Sequence, residues 1–300
     1  MAGFGADVLL GDPTRLHPVA GFGDVALALE RRIWADSRRR GALFTLLLVA
    51  GTGAASCVAT SHLRGWRRVL LETATLWCTL GGRSLDRAAH AMWQALAAGD
   101  VAAARELAPT LVGRDTANLD PSDLARATIE SVAENTGDAI VAPLFFFAIG
   151  GAPAVAAYRA TNTLDAIVGH RSDRHRRFGW ASARLDDLLN LVPARLGAAM
   201  AALAAAAEGR GPSAIASLRA DGHRHPSPNA GLYEAVFAGA LGVKLGGENR
   251  YGGIVEHRPT LGSGRAPQPD DILAAIVLAR RAAMLAAFAF AATLELRRRA

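Results

Sequence analysis

Cysteine, lysine and aromatic side chains are all scarce in this chain, and each scarcity narrows what the protein can be. The two cysteines, Cys57 and Cys78, lie in separate apolar segments and form no CxxC pair. That spacing gives no disulfide framework and no cysteine metal site. Lysine occurs once, at Lys244, so nearly all of the 33 basic residues are arginine, and the formal net charge is +6. Such a surplus suits nucleic acid, an anionic membrane surface or a phosphorylated substrate. With aromatics at 6% and neither a recognition helix nor zinc-finger spacing, nucleic acid is the weakest of the three. Sustained alternation and Asn-Gly hairpin turns are missing, which predicts an all-α chain. No Walker A sequence, no GxGxxG after a strand and no GxSxG occurs, so any nucleotide is held without a familiar phosphate loop. The N-terminus lacks a basic stretch ahead of an apolar core, and no cleaved signal peptide is expected.

Apolar residues are what the chain has in plenty, at 51%. Much of that share is alanine, which is nearly neutral in transfer to lipid, so hydropathy understates any membrane segments. A bilayer core takes about twenty apolar residues in helical form. Ala42–Ser61, Ala139–Tyr158, Leu188–Ala207 and Ile272–Leu294 approach that length, with Val69–Gly82 and Gly231–Gly246 as weaker candidates. Four to six bilayer-penetrating helices are expected. Arg280 and Arg281 interrupt the last segment and could snorkel if the span begins near Ala282. Pro143, Gly150, Gly151 and Pro153 would kink or break Ala139–Tyr158. A re-entrant hairpin broken at those prolines would return its two flanking loops to one side. The arginines at 297–299 suggest a cytoplasmic end. The overall reading is a polytopic integral membrane protein with helical polar loops. It forms one domain over residues 1–300, with a polar helical insertion at about 83–138.

The polar residues gather in a few places. Asp120-Pro-Ser-Asp123 reads as a helix start, an Asp N-cap with Pro in the first turn, predicting a helix over about Pro121–Gly137. On that helix Arg126, Glu130, Glu134 and Asp138 stand four apart and share a ridge. A cation would relieve their mutual repulsion, and carboxylates bridging Mg²⁺ to phosphates use such a ridge. A solvated helix face with an Arg126–Glu130 pair has the same spacing. In YRATNTLDAIVGH, Tyr158, Asn162 and Asp165 fall on one helical face beside Arg159. Asp and Asn are costly near lipid, which marks a site, although helix-end capping explains them too. In RLDDLLNLVPARL, Asp186, Asp187 and Asn190 precede Arg195, and Arg184, Asp187 and Asn190 could share a face. The basic run GHRSDRHRRFG reads as a solvated cytoplasmic loop. DVLLGDPTRLHPV places Asp7, Asp12 and His17 around turns, and HPSPNAGLYEAVFAGALGVKLGG leads into Glu234 and Lys244. His223, His225 and His257 are too few and too poorly spaced for a zinc site.

These motifs, with GRSLDRAA, LVGRDTANL and ATIESVAENTGDAIVAPLF, occur in the order found in the adenosylcobinamide-phosphate synthases of cobalamin biosynthesis, the CobD/CbiB family, and the chain resembles that family from Asp7 to about Gly253. The resemblance implies a multi-pass enzyme of the cytoplasmic membrane. It implies a carbon–nitrogen ligase that joins the free propionate of adenosylcobyric acid to aminopropanol or its O-phosphate, with ATP and Mg²⁺. It also implies work at the lipid bilayer and association with other membrane enzymes of the same assembly. On that footing Glu130, Glu134, Asp165 and Asp187 are the candidate catalytic residues. Glu130, Glu134, Asp138, Asp165, Asp186 and Asp187 are candidate metal ligands. Arg159, Asn162, Asn190, Arg195, Asn135 and Lys244 are candidates for substrate and phosphate contacts. Alanine at Glu130, Glu134, Asp165 or Asp187 is expected to abolish amidation with expression intact. Two other classes stay open: a Mg²⁺-dependent prenyl or CDP-alcohol transferase, and a secondary transporter with intramembrane carboxylates.

Overall fold

The computed structural model describes residues 2–13, 17–170 and 172–299, so Thr14–Leu16 of the first motif and Arg171 of the basic loop lie outside it. The side chains of Arg297, Arg298 and Arg299 lie outside the described part as well. Twelve α-helices and one hairpin are seen among the described residues. In chain order they are α1 Ala2–Leu10, α2 Pro18–Ile33, α3 Arg38–Ser61, α4 Gly65–Thr79, α5 Gly82–Ala97, α6 Val101–Leu107, α7 Pro121–Thr136, α8 Ala142–Val168, α9 Trp180–Ala206, α10 Gly211–Asp221, α11 Ala230–Leu241, β1 Leu245–Tyr251, β2 Ile254–Leu261 and α12 Pro269–Arg299. Four stretches are long and apolar enough to cross a membrane: Arg38–Ser61, Pro121–Val168, Trp180–Ala206 and Pro269–Glu295. That is the make-up of a multi-pass helical membrane protein. The weak candidate at Gly231–Gly246 is not a span. Its helix ends at Leu241, where Gly242 turns left-handed at φ 66°, and the chain continues into β1.

The chain divides into two compact units. The first comprises residues 1–81, 142–191 and 287–300. In it α8 packs on α2, α3 and α4, with Ala26, Phe44, Leu164, Val168 and Phe178 buried together. Gly151 interrupts α8 with φ 64° and ψ −155°, a conformation open essentially to glycine alone. Across that break the rings of Phe146 and Tyr158 stack at 4.8 Å. Twelve residues of unbroken helix would separate them by about 18 Å along the axis. The chain therefore turns back on itself at Gly151. A helical hairpin forms within the stretch expected to kink, at a glycine rather than at the prolines; Pro153 follows in the first turn of the second limb, where its missing N–H matters least.

The second unit comprises residues 82–141 and 192–286. Its core joins Met92 and Leu96 of α5, Leu124, Ile129 and Val132 of α7, Tyr233, Val236 and Phe237 of α11, and Ile272 and Ile276 of α12. The α7 helix begins as its sequence predicts, with Asp120 Oδ1 accepting the Asp123 N–H at 2.8 Å. Asp120→Ala is expected to destabilise the unit by about 1 kcal/mol, read as a lowered unfolding midpoint. Arg280 makes a two-pronged bond to Asp86 of α5, at 3.0 and 2.6 Å, and Arg281 pairs with Glu208. Protein carboxylates meet those two charges at the surface. The antiparallel β1–β2 hairpin was not anticipated. Its turn is Gly252-Gly253, at φ 56° and 83°, a Gly-Gly signal as good as the Asn-Gly that is missing.

Candidate functional site

In the second unit, α7 presents Arg126, Glu130 and Glu134 on successive turns. Glu130 is buried and saturated: Oε2 is met by Arg114 Nη2, and Oε1 accepts the Gly246 N–H at 2.7 Å and lies 3.4 Å from Arg126 Nη1. Arg126 also donates to the carbonyls of Gly246 at 2.6 Å and Glu248 at 3.0 Å. Asn249 Oδ1 accepts from both arginines. Arg114 is 7% exposed, Arg126 9% and Glu130 7%, so this is an ion-pair network inside protein. The expected Arg126–Glu130 pair exists, but its face is buried by the β hairpin rather than solvated. Asp115 fixes that hairpin by accepting the N–H groups of Gly252 and Gly253 at 3.1 and 2.7 Å.

One turn further along α7, Glu134 is exposed, and Asn135 donates to the Ser131 carbonyl at 2.9 Å. Asp138 is the second residue of a π-helical turn, Gly137–Val141, of the kind common at functional sites. The Tyr233 ring of α11 sits where a Cβ on Gly137 or Gly197 would be, which is why both are glycine. Beside Tyr233 on α11, Glu234 is 3% exposed, and its Oε1 lies 3.6 Å from His225 Nε2. His225 Nδ1 accepts the Ser227 N–H at 3.0 Å, which places the ring proton on Nε2, toward Glu234. Burial, then the charges of Glu130 and Glu134, pushes the Glu234 carboxyl well above its usual range. Burial, then Arg258, pushes the His225 imidazole below its own. Arg258 of β2 donates to the Tyr251 hydroxyl at 2.9 Å and acts electrostatically on Glu134 and Glu234 as well.

In the first unit, a polar chain links α8 to α9. Tyr158 donates to Asn190 Oδ1 at 3.0 Å, Asn190 Nδ2 to Asp186 Oδ2 at 3.0 Å, Asn162 Nδ2 to Asp186 Oδ1 at 3.4 Å, and Arg159 Nη1 to Asn162 Oδ1 at 3.2 Å. Asp186 and Asn190, four apart on α9, make this link. Asp165 and Asp187 are half-buried at its margins, and Asp186 and Asn190 are buried. The basic loop is partly anchored, with buried Glu30 taking Arg174 at 2.8 Å and His175 at 3.4 Å.

The structure thus groups Glu130 and Glu134 in one unit, and Asn162, Arg159, Asp186 and Asn190 in the other. Lys244 and Arg195 are exposed, and Lys244 is held through its backbone N–H to the Arg265 carbonyl at 2.8 Å. The residues missed from sequence are Arg114, Asn249, His225 and Arg258. Arg114 was visible only as part of LVGRDTANL, and His225 only as a poor zinc ligand and the first residue of HPSPNAGLYEAVFAGALGVKLGG. Nothing in their spacing announces that they converge.

Among the described residues, no group of three or more His, Cys, Asp or Glu is placed to hold a metal ion. Glu130 is already neutralised by two guanidinium groups, so the carboxylate ridge is not a preassembled cation cage. Of the rest of the ridge, Glu134 is exposed and Asp138 half-buried.

Four membrane-capable helices, a hairpin-broken helix and a buried arginine–carboxylate cluster define a polytopic membrane protein with a charged site in its helical core. The chain belongs to the CobD/Cbib protein family, whose model matches residues 1–279. It is 50% identical over 277 residues to a Mycobacterium tuberculosis protein named "Cobalamin biosynthesis protein CobD", covering 91% of this chain and 88% of that one. Proteins of the same name from Geobacter metallireducens and Chromobacterium violaceum are 44% and 42% identical, over 87% and 96% of this chain and 85% and 94% of theirs. No solved structure matches.

Proposed function

We propose that the protein is an ATP-dependent ligase of cobalamin biosynthesis, joining the free propionate of adenosylcobyric acid to aminopropanol or its O-phosphate. The observation that supports this most is the set of three glutamates, Glu130, Glu134 and Glu234, within electrostatic reach of Arg114 and Arg258. Making an amide from a carboxylate requires a better leaving group than oxide. The simplest route moves the terminal phosphoryl of ATP to a propionate oxygen, releasing ADP. The amine nitrogen then attacks the acyl carbon, the bond from that carbon to the phosphate oxygen breaks, and phosphate and a proton leave. Magnesium, when bound on the nucleotide, supplies charge neutralisation at the phosphoryl oxygens.

Each residue has a task in this account. Glu134, with Asp138, holds the metal-bearing nucleotide end. Arg258 is the phosphoryl-facing cation. Glu130 locks Arg114 and Arg126 and so fixes the geometry of the hairpin that carries Arg258. The Glu234–His225 pair, each shifted toward neutrality by burial, offers its protons as hydrogen-bond donors to the phosphoryl oxygens, and the proton released by the amine leaves on phosphate. Asp165 and Asp187 remain proposed contributors from the first unit.

The test uses purified protein in nanodiscs with adenosylcobyric acid, Mg·ATP and either form of the amine, read by mass for the amide. Glu134→Gln, Glu234→Leu and Arg258→Gln are each expected to lower turnover by about 10²-fold or more. Asp165→Asn and Asp187→Asn test the first unit in the same assay. Full activity in the first three variants removes this site. A secondary transporter also uses broken helices such as the Gly151 hairpin; it would form no amide at all.

A further inference from the structure

The first unit holds a cavity of about 280 Å³ between α2, α3, α4 and the second limb of α8, separate from the glutamate cluster of the second unit. Its size is near the lower end, about 300 Å³, of small-molecule pockets. Four threonines line it, and each hydroxyl is already bonded to its own helix: Thr52 to the Leu48 carbonyl, Thr75 to Leu71, Thr79 to Leu76 and Thr163 to Arg159. They therefore show methyl groups inward, among Phe22, Leu71 and alanines. Among the described residues, the lone charged group in the lining is Arg159. Its Nη1 is turned to Asn162, while its buried Nε has no hydrogen-bond partner among the described residues. An apolar chamber with one unsatisfied cationic donor is a poor home for water, which needs several polar partners. Among its described lining residues there is no carboxylate, and the nearby Asp12 acts electrostatically on Cys78.

We propose that this cavity binds a single-chain anionic amphiphile drawn from the bilayer, its hydrocarbon among the threonine methyls and its carboxylate or phosphate on Arg159. Two features give the occupant its chemistry. Arg159 selects the anion by charge and by its vacant donor. The wall formed by α3 belongs to a membrane-capable helix whose Leu43, Leu46, Leu47 and Val58 are all exposed, so hydrocarbon lies against the outer side of that wall. The inference does not depend on the ligase reading, because no residue of the second unit enters it.

The chain's two cysteines provide the assay. Cys78 lines the cavity and Cys57 is exposed on α3, so Cys57 serves as the internal reference. The protein in nanodiscs of zwitterionic lipid is alkylated with a small maleimide and read by mass at each cysteine. Dodecyl phosphate at about ten times its Kd is expected to slow Cys78 alkylation about tenfold while leaving Cys57 unchanged. Dodecanoate should protect likewise, whereas dodecanol and inorganic phosphate should not. Arg159→Gln should abolish protection, and native mass spectrometry should show dodecyl phosphate retained by the parent protein but lost from this variant. Equal protection by dodecanol, protection by inorganic phosphate alone, or retention unaffected by Arg159→Gln would each overturn the proposal.

Discussion

Glu130→Ala is expected to destabilise the protein by about 3–5 kcal/mol, because it leaves buried Arg114 without a counter-charge and Arg126 with Asp123 alone. The sequence alone suggested an inactive but normally expressed variant. The structure changes that expectation, since Glu130 binds Arg114, Arg126 and the Gly246 N–H at once. Loss of the carboxylate leaves the Gly246 N–H without its acceptor and buried Arg114 with only the neutral Asn249 Oδ1, while Arg126 keeps Asp123 and two carbonyls. Glu130→Gln keeps an acceptor for Gly246 but removes the charge, so it should fall between the parent and the alanine variant. The double variant Glu130→Gln, Arg114→Met, which removes one unpaired cation, should recover part of the loss. Thermal unfolding in detergent, with and without ligand, measures the series. Equal midpoints for Glu130→Ala and the parent would show that the network carries no stability.

The second large effect is expected at Gly151. Alanine there must adopt φ 64° and ψ −155°, at a cost of about 1–3 kcal/mol, or else the two limbs of α8 must open. Opening is directly observable. Spin labels on Phe146→Cys and Tyr158→Cys, in a background lacking Cys57 and Cys78, should show strong dipolar broadening, because the native rings are 4.8 Å apart. Gly151→Ala should weaken that broadening toward the roughly 18 Å spacing of a continuous helix. Spectra without broadening in the unsubstituted Gly151 background would remove the hairpin.

These two positions also show where the sequence was readable. The start of α7, with its Asp cap and Pro, follows from local chemistry and appears as expected. So do the long apolar helices, since a bilayer-length run is a local signal. The α8 break was legible as a cluster of Pro and Gly, but which residue turned the chain depended on packing between Phe146 and Tyr158. The Arg126–Glu130 pair was legible from its spacing. Its burial was not, because the cover comes from Gly246 and Asn249, more than a hundred residues away. Arg114, His225 and Arg258 reach the site only through tertiary contacts. Single-position reading has no signal for such convergence, although LVGRDTANL and HPSPNAGLYEAVF contain two of the three.

The central claim is that this protein activates a corrinoid propionate with ATP before an amine attacks it. Adenosylcobyric acid carrying ¹⁸O in that carboxylate tests it most directly, with the amide product and the released phosphate analysed by mass after turnover. The account predicts one ¹⁸O atom in inorganic phosphate for each amide formed, with ADP as the nucleotide product. Amide formed without ATP, ¹⁸O found in AMP, or no amide with either form of the amine would contradict it.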